Sequence, residues 1–146
     1  MITVGSLFAG IGGIELGLER TGGFRTVWQV EIDDYARRVL EKHWPDVRRW
    51  GDVRTFPPEP VDEWRCDLIC GGFPCQDISY AGAGAGLSGA RSGLWYEFAR
   101  VVRMVRPRFV LVENVAALLT RGLGDVLGTL ASLGYDAEWC SLDAKR

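Results

Sequence analysis

Short apolar runs alternate with amphipathic stretches along almost the whole chain, and this alternation restricts the fold more than any other feature. ITVGSLF, RTVWQVEI, CDLICGG and FVLVENV each read as a strand, with VRRW as a weaker one. GIELGLERTG, DDYARRVLEKHW, GLWYEFARVVRMVRP and GLGDVLGTLASLGYD have helical spacing. Strands joined through helices pair side by side in parallel, because the connection is a crossover. The order therefore predicts an α/β fold with a mainly parallel sheet. Ile11, Ile14 and Leu18 are expected on one face of the first helix. The third must stop before Pro107, whose ring disfavours helical geometry in the preceding residue. FVLVENV is nearly continuous in β-branched and apolar residues, so it is read as a central strand, and AEWCSLD as a final one. Neither repeat nor linker divides the chain, and residues 1–146 are read as one domain, long enough to enclose a core.

The 47% hydrophobic and 25% charged content suits an ordinary globular chain rather than a disordered one. No apolar run approaches the ~18–20 residues that span a bilayer, and MITVGSLFAG lacks the basic start of a secretory signal. A cytoplasmic protein is expected. The four cysteines, at 66, 70, 75 and 140, form no C-x-x-C pair, and the single histidine, His43, lies far from them, so no metal site is expected. A net charge of −2 argues against a strongly basic nucleic-acid binder. The local cluster Arg100, Arg103, Arg106 and Arg108 is read as a solvated helix face with dipole partners at its end.

Several motifs fall where strands end. FAGIGG, Phe8 to Gly13, is a glycine-rich strand-to-helix turn, which lets the backbone approach a ligand. The dinucleotide fingerprint does not fit, because Glu15 stands where its third glycine would fall. Glu31 closes the second strand, where an acid can take a pair of ribose hydroxyls, and Asp52 of GDV closes the third. Open α/β sheets bind ligands at these strand ends, so turn and acids together describe a site for an adenosine-containing cofactor. Cys75 of GGFPCQDIS lies behind a proline, just beyond an apolar strand, a position that suits chemistry better than packing. Glu113 of ENV should reach the same edge beside it, and a thiol next to a carboxylic acid suits attack on a ring whose nitrogen must be protonated. The glycine-rich YAGAGAGLSGARSG that follows is read as a loop able to close over substrate.

FAGIGG, the acid of VEI, GDV, GFPCQ-x-x-S, GLW and ENV, in this order and spacing, resemble the cytosine-5 DNA methyltransferase family from residue 2 to about 143. The resemblance implies a Rossmann-like S-adenosylmethionine-dependent methyltransferase fold, three-layer α/β/α. It implies that Phe8, Ala9, Gly10, Gly12 and Gly13 wrap S-adenosylmethionine, with Phe8 against the adenine. Glu31 would hold the ribose, Ile32 would cover the adenine, and Asp52 would accept from its amino group. Pro74 would approach the methionine end, and Leu94 would line the same pocket. Cys75 would attack C6 of a flipped cytosine, Glu113 would bind its N3 and exocyclic amine, and Asn114 would brace the Pro-Cys loop. Gln76, Ser79 and Arg91 would contact double-stranded DNA around the space the base left.

Relatives continue into an arginine-bearing segment, a target-recognition domain and a returning helix, all of which lie beyond SLDAKR. On this reading the sheet lacks its final antiparallel strand, and a second polypeptide could supply target recognition. The loop Tyr80 to Ala90 also lacks the lysine common in relatives. Three alternatives stay open: an RNA (tRNA) cytosine-5 methyltransferase, a non-catalytic S-adenosylmethionine-binding module, and a nicotinamide-dependent dehydrogenase. The missing third glycine and the Pro-Cys loop speak against the last.

Overall fold

The computed structural model of the chain describes residues 1–74 and 93–143. Five strands, β1 (Ile2–Leu7), β2 (Phe24–Val30), β3 (Arg48–Trp50), β4 (Leu68–Gly71) and β5 (Phe109–Val112), form one sheet. Their order is β3-β2-β1-β4-β5, and every neighbouring pair is parallel. The helices are α1 (Gly13–Arg20), α2 (Asp34–His43), α3 (Gly93–Val105), α4 (Leu118–Arg121) and α5 (Leu123–Ser132). Two short 3-10 turns, Val53–Thr55 and Val61–Trp64, lie between β3 and β4. None of the described helices is long and apolar enough to cross a membrane.

Successive side chains of a strand point to opposite faces, and the sheet accordingly carries two cores. Leu7, Trp28, Val30 and Ile69 pack with Trp95, Phe98 and Val102 of α3 and with Val126 and Leu130 of α5. On the opposite face Val4, Leu68 and Cys70 meet Ile14 and Leu18 of α1. Helices on both faces make the three layers. Trp28 is central to the larger core: its ring lies 4.8 Å from that of Phe56, and its indole N–H donates to Trp64 O at 2.9 Å. Gly5 on the neighbouring strand makes room for that indole, which any Cβ there would overlap.

Local chemistry sets the helix ends. The Asp33 carboxylate accepts from Ala36 N at 2.8 Å and caps α2, as its acidic start predicts. His43 is exposed on the last turn of that helix. The third helix ends at Val105 ahead of Pro107, and Arg106 turns the chain out with φ 57.

Three expectations are corrected. Helix α1 starts at Gly13, where GIELGLERTG begins, and Ile14 and Leu18 pack, but Ile11 precedes the helix and is 62% exposed instead of sharing its face. FVLVENV is not central: β5 stands at the sheet edge, where Val110 and Val112 join the core while Phe109 and Leu111 are exposed. AEWCSLD forms no strand, and Trp139 and Leu142 within it are exposed. A strand is held by a ladder partner rather than by its own pattern, and β5 offers this segment none among the described residues.

Candidate active site

In the order β3-β2-β1-β4-β5 the connections leave β1 in opposite directions, so a crevice opens between β1 and β4 at their carboxyl ends. A cleft of about 300 Å³ lies along this edge. Phe8 after β1, Glu31 and Ile32 after β2, Asp52 after β3, Pro74 after β4 and Leu94 at the start of α3 all border it. Six residues singled out from sequence thus share one cavity. Val30, Gly51, Val53, Arg54 and Gly72 border it as well, and the sequence reading did not name them. Each lies within two positions of a residue that was named, so proximity to a strand end was the available signal.

The turn after β1 is built around Glu31. Gly10 N donates to its Oε1 at 2.7 Å and Asp33 N to its Oε2 at 2.9 Å, which fixes the carboxylate plane. Two oxygens that accept one bond each retain lone pairs for further donors. Phe8 has φ 53, a left-handed conformation that a residue with a side chain adopts at a cost of roughly 1 kcal/mol or more. Gly10 (φ 57) and Gly12 (φ 90) complete the turn. Gly12 is required by packing too, because a Cβ there would overlap the Trp44 ring. Ala9, Gly10, Gly12 and Gly13 shape this turn without being among the lining residues of the cleft.

Asp52 starts the first 3-10 turn as its cap. Its Oδ1 accepts from Arg54 N at 2.9 Å and from Arg54 Nε at 3.1 Å. These two bonds hold its carboxyl below the usual carboxylate range.

At the β4–β5 end, Glu113 N donates to Gly71 O at 3.0 Å and extends the ladder one residue beyond the strand. A Cβ on Gly72 would come within 2.5 Å of Glu113 Oε2, so glycine here is what lets the carboxylate approach. Asn114 Nδ2 donates to Phe73 O at 3.4 Å, and its Oδ1 accepts from Val115 N at 2.8 Å. Asn114 therefore ties the ENV segment to the residue preceding Pro74. Phe73 is buried, with its ring 5.3 Å from Trp95 of α3. Cys75, Gln76, Ser79, Arg91 and the glycine-rich loop up to Ser92 lie outside the described residues.

The family profile of C-5 cytosine-specific DNA methylases matches residues 2–146. The chain belongs to this family. Among curated relatives, it is 38% identical over 148 residues to the Type II methyltransferase M2.BsuMI of Bacillus subtilis, covering 96% of this chain and 37% of that protein. It is 40% identical over 138 residues to M.Eco47II of Escherichia coli, covering 92% and 32%. The chain thus spans about a third of the length of these relatives. Among solved structures it is similar to a DNA modification methyltransferase encoded within an Escherichia coli prophage, with TM-score 0.73 and 28% identity over 92% of this chain and 38% of that one. The fold also matches that of Spodoptera frugiperda DNMT2, with TM-score 0.72 over 91% of this chain and 41% of that one, at 19% identity. These structural likenesses agree with the parallel α/β sheet expected from sequence.

The arginine cluster is less uniform than its sequence reading. Arg103 is exposed, as a solvated face requires. Arg108 lies over the Phe109 ring at 5.0 Å, and Arg106 Nη1 donates to Leu133 O at 3.1 Å. Arg100 turns inward instead. Its Nη2 donates to both Val53 O and Phe56 O at 2.8 Å.

Proposed function

We propose that this chain is the cofactor-binding and nucleophile-bearing part of a DNA cytosine-5 methyltransferase that uses S-adenosylmethionine. The observation that carries the reading is the convergence of Phe8, Glu31, Ile32, Asp52, Pro74 and Leu94 on one cleft at the carboxyl edge of the sheet. Its volume of about 300 Å³ falls in the range of small-ligand sites. The donor set suits an adenosine: Glu31 has acceptor capacity left for two ribose hydroxyls, and the Asp52 oxygen not used by Arg54 can accept from the adenine amine. Phe8 and Ile32 supply apolar faces for the base, Pro74 would approach the methionine end, and Leu94 lines the same pocket. Once bound there, S-adenosylmethionine supplies a methyl group on a sulfonium.

The remaining chemistry belongs to the loop after β4 and the end of β5. Cys75, as thiolate, would form a bond to C6 of a cytosine flipped out of the duplex, pushing an electron pair toward C5 and N3. Glu113 would hold N3 and the exocyclic amine and place a proton on N3 as charge develops. C5 would take the methyl group, leaving S-adenosylhomocysteine as the thioether; loss of the C5 proton to a water would then break the C6–S bond and release the Cys75 thiolate. Asn114 would hold the Phe73 carbonyl and so the approach of the Pro-Cys loop. Gln76, Ser79 and Arg91 would contact the DNA around the vacated space. A second polypeptide or further sequence would supply target recognition.

Covalent trapping tests the proposal. Duplex DNA carrying 5-fluorocytosine cannot lose a proton at C5, so a functional nucleophile stays attached. The expected result is a denaturation-resistant adduct, formed by the chain with its recognition part in the presence of S-adenosylmethionine, and absent in Cys75→Ala. Preferential methylation of tRNA over duplex DNA would favour the RNA-directed alternative. Turnover retained by Cys75→Ala would sink the mechanism.

A further inference from the structure

Arg100 sits on α3, but its side chain is only 26% exposed. Its Nη2 donates to the carbonyls of Val53 and Phe56, which lie 47 and 44 residues earlier in the chain. The Nε donates to Glu97 Oε2 at 2.8 Å, one helical turn back, and Nη1 points to Met104 Sδ at 3.3 Å. Each nitrogen of the guanidinium thereby has a partner, as a planar fork allows and a single ammonium does not. The two carbonyls bracket the 3-10 turn Val53–Thr55. Asp52, Val53 and Arg54 form one wall of the cleft, and that turn has bonds of its own, Thr55 N to Asp52 O and Phe56 N to Val53 O. Trp50 Nε1 donates to Thr55 Oγ1 at 2.9 Å and Phe56 packs in the core, while Arg100 ties the turn's carbonyls to α3. Leu94, six residues earlier on the same helix as Arg100, stands in the cleft with Pro74. Trp95 beside it packs on Phe73. One helix therefore reaches the cleft directly through Leu94 and, through Arg100, grips the wall that carries Asp52.

We propose that Arg100 is a positioning residue for the adenine end of this cleft: by clasping the Val53 and Phe56 carbonyls it sets where the Asp52 carboxylate stands relative to Leu94. The inference rests on the functional reading above, and it acts through Asp52 rather than by contact with the ligand. It follows that loss of Arg100 impairs recognition of the adenine amine more than binding of the rest of the molecule.

The test uses the full chain with Arg100→Lys, Arg100→Met, Asp52→Ala and the Arg100→Met/Asp52→Ala pair. Calorimetry measures S-adenosylhomocysteine and its inosine counterpart, in which a carbonyl oxygen replaces the amine. The expected result is a weakening of S-adenosylhomocysteine binding on the order of tenfold in Arg100→Met, as for loss of charged hydrogen bonds. Preference for adenine over the inosine analogue should narrow, and the effect should be non-additive with Asp52→Ala. Arg100→Lys keeps the charge and the Glu97 pairing but cannot span both carbonyls, so it should show the same loss of preference with a near-native melting temperature. Hydrogen exchange at the Arg54 and Thr55 amides should quicken in both ligand-free variants. Unchanged affinity and preference in variants of a chain that binds would overturn the inference alone. So would equal losses for both analogues that add to those of Asp52→Ala, since these mark a merely structural bond. No binding by the unaltered chain would overturn the functional reading, and this inference with it.

Discussion

Residues of one type carry different chemistry here because their surroundings differ. Burial pushes the thiols of Cys66 and Cys70 up to about 12, so neither supplies thiolate near neutral pH. Cys140 is exposed. Brief alkylation of the folded chain at pH 8, read by peptide mapping, is expected to modify Cys140 and spare Cys66 and Cys70. Cys75 should react as well if it is the proposed nucleophile. Labelling of Cys66 or Cys70 at the rate of Cys140 would show that the sheet opens readily. Position after a proline and beyond a strand separated Cys75 from its packed neighbours in sequence. Arg100 gave no such signal, because its partners are main-chain carbonyls far away in the chain and no pattern around Arg100 encodes them.

Glycines decide how closely the strands and their ends approach one another. A Cβ on Gly71 would collide with the Leu7 carbonyl of the neighbouring strand, which is backbone and cannot move aside by rotating a bond. Gly71→Ala is expected to destabilise the chain by about 1–3 kcal/mol, as overpacking does, measurable as a lower urea midpoint with an unchanged slope. An unchanged midpoint would mean the β1–β4 pairing is looser than described. Helix α1 carries a second test. Glu15 is buried, and Gln29 Nε2 lies 3.5 Å from its Oε1. Burial raises its pKa above the ordinary 4.5. The folded chain therefore holds this proton more tightly than the unfolded one. Its contribution to stability is full below pH 4.5 and is lost as pH rises through the folded value. Urea unfolding from about pH 4.5 upward should show the decline in the unaltered chain and a flatter profile in Glu15→Gln. Parallel profiles would contradict this account of Glu15. The elements were mostly legible in sequence because alternation and helical spacing are local. AEWCSLD and FVLVENV were misread because strand existence and strand position depend on neighbours, which a local pattern does not contain.

At the scale of the molecule, the sheet order brings together motifs spread from Phe8 to Glu113. The strand-end rule alone is enough to gather the two acids and the glycine turn at one edge. It could not supply the cleft's remaining wall. Proximity to a strand end pointed toward Gly72 and Arg54, but what they do there, leaving room for the Glu113 carboxylate and bonding to Asp52, is a matter of contacts. The edge strand β5 leaves Phe109 and Leu111 exposed, and the chain spans about a third of the relatives it matches. The proposal for this chain is accordingly one of cofactor binding and attack, with the choice of target cytosine assigned elsewhere. Its central claim is that the cleft holds the adenosine of S-adenosylmethionine through Glu31. Titration of the full chain with S-adenosylhomocysteine, alongside Glu31→Ala, measures this most directly. Saturable binding at one site is expected of the unaltered chain, weakened on the order of a hundredfold in Glu31→Ala through loss of charged hydrogen bonds to both ribose hydroxyls. Equal affinity in the two chains, or no binding by the unaltered one, would contradict that claim.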